Sequence, residues 1–165
     1  ETREELGGSE YLKVVHGRVA GRPPELDLEL ERAVQETVLR AIREGLVRSA
    51  HDLAEGGLAI GLAECCFQGA DNVRGAEVEL ESDLLPEALL FGESQSRIIL
   101  SVAPEKVERV RALARELGAP FAVLGRTLAA PRLRITVNGQ PLIDVSTAEL
   151  EARWKESLPW QLGQT

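Results

Sequence analysis

The chain has no run approaching the roughly 20 consecutive apolar residues that a membrane-crossing helix needs. Its acidic opening, "ETREELGG", lacks the charged-then-apolar layout of a secretory signal. It has only two cysteines, Cys65 and Cys66, side by side in an apolar segment. Sequence neighbours cannot form an ordinary disulfide, and two thiols do not complete a zinc site, so both read as core filler in a reducing compartment. Basic side chains are in deficit, 19 against 27 acidic ones for a formal charge of −8, and no run gathers them into a patch. A polyphosphate backbone would be repelled. These absences argue against nucleic acid or a membrane as partner and lead us to expect a cytoplasmic protein.

Catalytic apparatus is equally sparse. His16 and His51 are the only histidines, neither cysteine is flanked by a base, and neither a Gly-x-Ser-x-Gly elbow nor a Walker-type loop occurs. The carboxylates, though plentiful, show no spacing that pairs them, and most are assigned to a solvated surface. His16, in "KVVHG", reads as a satisfied or surface histidine. No catalytic residue and no metal ligand is assigned from the sequence.

What the chain does have is the material of a folded domain. Its 165 residues can bury roughly 70% of the unfolded surface, and a composition of 44% apolar and 28% charged residues is that of an ordinary globular protein. A short helix is expected from about Ser9, followed by a break at Gly21, Pro23 and Pro24. From Asp27, the residues Leu30, Ala33, Val34, Thr37, Val38, Ala41 and Ile42 recur at helical spacing until Gly45.

"LVRSAHDL" suits a short buried strand, and the segment from Gly57 reads as a helix packed on more than one side, with Leu58, Leu62, Cys65 and Cys66 in one stripe. Strands are expected at "AEVEL", where Ala76, Val78 and Leu80 alternate with glutamates, and at "RIILSV". Pro104 opens a helix that Gly118 closes, giving the order strand, strand, helix. "FAVLG" resembles another strand, and Asn138-Gly139 marks a hairpin. Ser146 and Glu149 have capping-box spacing for a last helix, with Leu150, Trp154 and Leu158 on one face and Pro159 as its stop. Trp154 reads as a packing anchor and Trp160 as a tail contact. The fold class is therefore α/β (α+β), a mixed sheet flanked by helices.

Two stretches could carry chemistry. In "SAHDLAEGGLAIGLAE", Gly56 and Gly57 precede a helix, whose first N–H groups and partial positive charge suit a phosphate. The alternative is a tight structural turn. His51 and Asp52 could orient a ligand or a metal, but as neighbours in a strand they point to opposite faces. In "LLFGESQSRIIL", Glu93, Ser94 and Gln95 form a dense hydrogen-bonding set able to receive ribose hydroxyls or phosphate oxygens. Here the alternative is a polar turn between sheet elements.

Four motifs in order, "GGSEYLKVVHG", "SAHDLAEGGLAIGLAE", "LFGESQSRIILSV" and "LIDVSTAELEARWKESLPW", resemble the C-terminal end of the phosphoribosylformylglycinamidine synthases, over nearly the whole chain. The resemblance implies an ATP-dependent ligase that makes formylglycinamidine ribonucleotide, ADP and phosphate from formylglycinamide ribonucleotide, ATP and glutamine-derived ammonia. In that family two homologous halves each join an ATP-binding-type domain to a C-terminal α/β domain of the aminoimidazole ribonucleotide synthetase type, partly ferredoxin-like. This chain resembles the second C-terminal domain, residues 27–165, with residues 1–26 a connector and the end of the preceding domain.

By the same resemblance His51, Asp52, Gly56, Gly57, Glu93, Ser94 and Gln95 become candidates for an auxiliary nucleotide site, not the reaction centre. ATP, ADP and magnesium are expected of the full enzyme, with none assigned to this segment alone. Expected partners are the rest of the synthase chain, a separate glutaminase subunit and a small bridging subunit. A glutamate at position 1 is a hint of a piece cut from a longer chain, and Thr165 is expected to be the natural end. Two other readings remain open: a structural interdomain module with a degenerate site, and a domain of a related enzyme such as aminoimidazole ribonucleotide synthetase or selenophosphate synthetase.

Overall fold

The computed structural model describes residues 2–67 and 74–161, with side chains through residue 156. Its helices are α1 (Glu10–His16), α2 (Leu28–Arg43), α3 (Gly57–Phe67), α4 (Pro86–Phe91), α5 (Val107–Leu117) and α6 (Thr147–Gln161). Its strands are β1 (Val47–Asp52), β2 (Gly75–Leu80), β3 (Ile98–Val102), β4 (Gly125–Leu128), β5 (Arg132–Val137) and β6 (Gln140–Ser146). Contacts divide the chain into two compact units, Glu1–Gly61 with Leu84–Val123, and Leu62–Asp83 with Leu124–Thr165.

In the first unit α2 and α5 cover a two-stranded antiparallel ribbon of β1 and β3. Local chemistry fixes the ends of α2. The Asp27 carboxylate accepts from the N–H groups of Glu29 and Leu30, and Gly45 takes a positive φ of 65° so that Leu46 N–H can return to the Ala41 carbonyl. Ala41, Leu46, Val110 and Leu113 form the buried centre, with Val47, Leu100, Val102, Leu117 and Phe121 packed around it. On α5 both Val110 and Leu113 are fully buried.

In the second unit the strand order is β4-β2-β5-β6, with β2 parallel to β5 and the other two pairs antiparallel. This is the expected mixed sheet. Val78, Leu133, Ile135 and Val137 are buried on one face. On the other, Arg126, Glu77, Arg134 and Asp144 lie side by side in register across all four strands, a row of alternating charge. The β5–β6 hairpin turns at Asn138 and Gly139 with φ of 50° and 75°, as the Asn-Gly pair requires. The Asn138 side chain pairs with both backbone groups of Ser82, donating to its carbonyl at 2.8 Å and accepting from its N–H at 3.0 Å.

Several expectations are corrected. The order after β2 is helix, strand, helix, because "PEALLF" forms α4, with Pro86 at its first turn where a missing N–H costs nothing. The polar stretch Gly92–Ser96 therefore joins a helix to a strand, not two strands. "FAVLG" is not a strand: Phe121 packs into the first core, its ring under the Arg111 guanidinium at 4.9 Å, and pairing begins only at Gly125. The strand β1 is largely exposed because it has one partner, β3, in a ribbon of two.

In α3, Cys66 is buried, whereas Cys65 and Ile60 face outward, so only one of the two cysteines is core. Burial pushes the Cys66 thiol up to about 11. Helix α6 starts right after Ser146 as expected but runs through Pro159 to Gln161, since an interior proline removes one hydrogen bond without necessarily ending the helix. Trp154 packs on Phe67 at 5.7 Å between ring centres yet stays half exposed. The side chains of Leu158 and Trp160 lie outside the described residues.

The centre of the first unit supplies a direct check. Truncating Leu113, which is wholly buried among Ala41, Leu46 and Val110, removes contacts and leaves a cavity, so L113A should lower stability by about 2–5 kcal/mol in urea unfolding. A change under half a kcal/mol would show that this centre is not packed as described.

Candidate functional site

The two stretches singled out in the sequence meet inside the first unit. Glycine is the reason they can approach so closely. Gly56 and Gly57 have φ of 75° and 66°, in the left-handed region. A Cβ on Gly57 would lie 2.5 Å from the Gly92 carbonyl oxygen and 2.9 Å from the Phe91 carbonyl carbon. A turn and a loop far apart in sequence are thus packed backbone against backbone.

Glu93 closes the junction electrostatically. Its Oε1 accepts hydrogen bonds from Gly56 N–H at 2.8 Å and from Glu10 N–H at 3.0 Å. Gly56 is the residue just before α3, and Glu10 is the first residue of α1. A carboxylate therefore stands at two helix starts, where backbone N–H groups lack intrahelical partners and the local potential is positive. It occupies the Gly56 N–H, one of the donors that the sequence offers to a phosphate. Gly57 N–H donates instead to the Ala54 carbonyl at 3.3 Å, and Gly57 itself is buried.

The rest of the loop is held from within. Ser94 is buried; its Oγ accepts from Arg3 N–H and donates to the Glu5 carboxylate, each at 3.1 Å. Arg97 donates from Nε to the Ser94 carbonyl at 2.8 Å, from one terminal nitrogen to the Gly92 carbonyl at 2.6 Å, and from the other to Thr2 Oγ1 at 3.1 Å. Burial pulls the Arg97 guanidinium below its ordinary value, against Glu5 and Glu93, which hold it up. Ser96 takes a positive φ of 61°, and its hydroxyl donates to Glu31 on α2. Gln95 is exposed, with a long 3.5 Å contact from its amide to the Glu93 carbonyl.

Of the seven candidates, Gly56, Gly57, Glu93 and Ser94 form one connected structure, and Gln95 projects from its rim. His51 and Asp52 end β1, paired with Ile99 and Ile98. His51 is half-buried and Asp52 exposed, as neighbours in a strand should be, and His51 Nδ1 donates to the Asp52 carbonyl at 2.6 Å. The Leu53 N–H, bonded to the Arg97 carbonyl at 2.9 Å, ties that strand end to the loop. Among the described residues no group of three or more His, Cys, Asp or Glu side chains is placed to hold a metal ion. Sequence reasoning missed Arg97, Glu5 and Glu10: Arg97 lay within "LLFGESQSRIIL" and Glu10 within "GGSEYLKVVHG", but neither was given a role, and Glu5 gave no signal.

The glycine requirement can be separated into its parts. G118A imposes a left-handed φ of 76° on alanine with open space around the Cβ, whereas G57A adds a collision with backbone to a similar φ. G118A should cost about 1 kcal/mol and G57A clearly more, roughly 2–4 kcal/mol, in thermal unfolding. Equal losses would show that the close approach of Gly57 to Gly92 is absent.

Residues 2–138 match the family described as AIR synthase related protein, C-terminal domain. The phosphoribosylformylglycinamidine synthase subunit PurL of Moorella thermoacetica is 54% identical over 159 residues, which is 96% of this chain and 21% of that protein. The structure of Thermotoga maritima PurL complexed with ATP superposes with a TM-score of 0.69 at 26% identity, over 88% of this chain and 24% of the other. The structure of PurLQS from Thermotoga maritima gives 0.66 at 26% identity, over 86% of this chain and 24% of the other. The chain thus spans about a fifth of the length of the curated relative it matches. On the match across residues 2–138, the chain belongs to the AIR synthase related proteins and carries their C-terminal domain.

Proposed function

We propose that this chain is the C-terminal domain of the second half of the synthetase subunit of phosphoribosylformylglycinamidine synthase. Within the complete subunit it serves an ATP-dependent carbon–nitrogen ligase of de novo purine biosynthesis. That enzyme joins glutamine-derived ammonia to formylglycinamide ribonucleotide with conversion of ATP to ADP and phosphate. The carrying observation is an identity of 54% sustained over 96% of the chain with a synthase subunit. The same likeness favours the synthase over aminoimidazole ribonucleotide synthetase and selenophosphate synthetase, the other superfamily readings.

In this reading residues 1–26 bring the chain in from a preceding ATP-binding-type domain, and residues 27–165 form the C-terminal domain. The turn holding His51, Asp52, Gly56 and Gly57 and the loop holding Glu93, Ser94 and Gln95 border an auxiliary nucleotide site. ATP or ADP with magnesium binds there or nearby with help from the rest of the subunit, and the chemistry lies elsewhere. A glutaminase subunit and a small bridging subunit complete the assembly, a reading supported by the likeness to the structure of PurLQS from Thermotoga maritima. The enzyme works in the cytoplasm; among the described residues no helix is long and apolar enough to cross a membrane.

One observation favours a second reading, a structural module with a degenerate site. The Gly56 N–H is already bonded to Glu93, and Gly57 is buried against the Gly92 backbone. An ADP titration with magnesium distinguishes the two readings when run on the complete subunit with and without G57D. Saturable binding weakened by the substitution, in protein that still melts cooperatively, supports the auxiliary site; binding indifferent to it supports the module. The synthase assignment is tested separately. A bacterium lacking its synthetase subunit should regain growth without purines when supplied with a subunit whose corresponding segment is replaced by this chain. A soluble chimera that fails to restore growth would count against the assignment.

A further inference from the structure

The opening segment of the chain touches Phe91 and the 92–97 loop at several points. Thr2 Oγ1 accepts from Arg97, Arg3 N–H donates to Ser94 Oγ, Glu5 accepts from the Ser94 hydroxyl, and Glu10 N–H donates to Glu93. Tyr11 stacks on Phe91 with ring centres 5.1 Å apart and planes 19° from parallel. Yet α1 buries none of its own residues. A seven-residue helix is too short to persist in water by itself. Its order has to come from what its first turn and its tyrosine hold.

We propose that Glu93 is a latch that makes the opening segment and the Gly56 turn one cooperative element. Its Oε1 is the atom shared between them, so the docking of α1 and the bonding of the Gly56 N–H are gained and lost together. Displacing α1 takes the Glu10 amide from Glu93, releases the carboxylate from its place over the Gly56 amide and loosens the Ser94 contacts to Arg3 and Glu5. Movement arriving through residues 2–17 is thereby transmitted to the Gly56–Gly57 turn and to the 92–97 loop. Glu93 is a positioning residue in this scheme, and the inference rests on these bonds whether or not a nucleotide is ever bound.

Amide hydrogen exchange on the 165-residue chain, resolved by NMR, tests it. In E93A the amides of Glu10 and Gly56 should both exchange roughly 10- to 100-fold faster than in the unsubstituted chain, the loss expected for bonds to a charged acceptor. Gly57, which bonds to Ala54 instead, should be unaffected. Sodium formate or acetate, supplying a free carboxylate, should restore protection at both amides in E93A, with sodium chloride at equal ionic strength restoring neither.

E93Q keeps an acceptor oxygen without the charge, and should speed exchange at both amides by a smaller factor. If E93A does not fold, E93Q alone decides. Parallel loss at Glu10 and Gly56 supports the latch; loss at one amide without the other, or at neither, overturns it. Where E93A folds, failure of both carboxylates to restore protection overturns it as well.

Discussion

One carboxylate oxygen, Glu93 Oε1, bonds to two backbone amides that lie 83 and 37 residues away in sequence. Everything distinctive about the first unit converges on that atom. Both amides belong to helix starts, where donors go unpaired and the potential is positive, so a negative group there is worth more than a carboxylate in open water. Bonds from a neutral donor to a charged acceptor each contribute about 1.5–3 kcal/mol, which exceeds what an exposed ion pair provides. The surface pairs Arg109–Glu44 and Arg40–Glu116 join α5 to α2 but do not decide how these segments are arranged. Glu93 and the glycines beneath it do.

The second unit is organised by different physics. Its sheet is held by Val78, Leu133, Ile135 and Val137, each worth roughly 1.5–3 kcal/mol when fully buried. The Arg126, Glu77, Arg134 and Asp144 row opposite them is largely exposed and contributes far less per pair. Its value lies in register. Sliding β5 by one residue against β2 would set Glu77 opposite Leu133 or Ile135 instead of Arg134 and turn those apolar residues outward, so the charged row and the apolar row specify the same alignment. The mutual pairing of Arg132 and Asp144 raises the arginine and holds the carboxyl below its ordinary range, each mainly through the hydrogen bond between them.

Much of this was legible in the sequence because the signals were local. Asp27 and Gly45 bracket α2, Asn138-Gly139 makes the hairpin, and alternation in "AEVEL" gives the two faces of β2. What escaped was set by tertiary context. "PEALLF" is too short for its helical period to register, and "FAVLG" has the composition of a strand but spends Phe121 on another core. At the candidate site the glycines and the Glu-Ser-Gln loop were visible as separate stretches. Their meeting was not, because nothing near Glu93 in sequence announces that its partners are the amides of residues 10 and 56.

That juxtaposition changes how the Gly-Gly pair is understood. Two glycines before a helix invite a phosphate reading, since bare backbone allows an anion to come close. Here both glycines are already required by internal geometry: their φ values are positive, and a Cβ would strike Ile60 at Gly56 and the Phe91–Gly92 backbone at Gly57. Their presence is therefore explained without any ligand. The anion that does approach the backbone is supplied by the chain itself, from a loop that the same close approach brings within reach. An external phosphate at the Gly56 amide has to compete with a carboxylate that is covalently tethered and pays no translational entropy on arrival. In this domain the turn before α3 is first a joint.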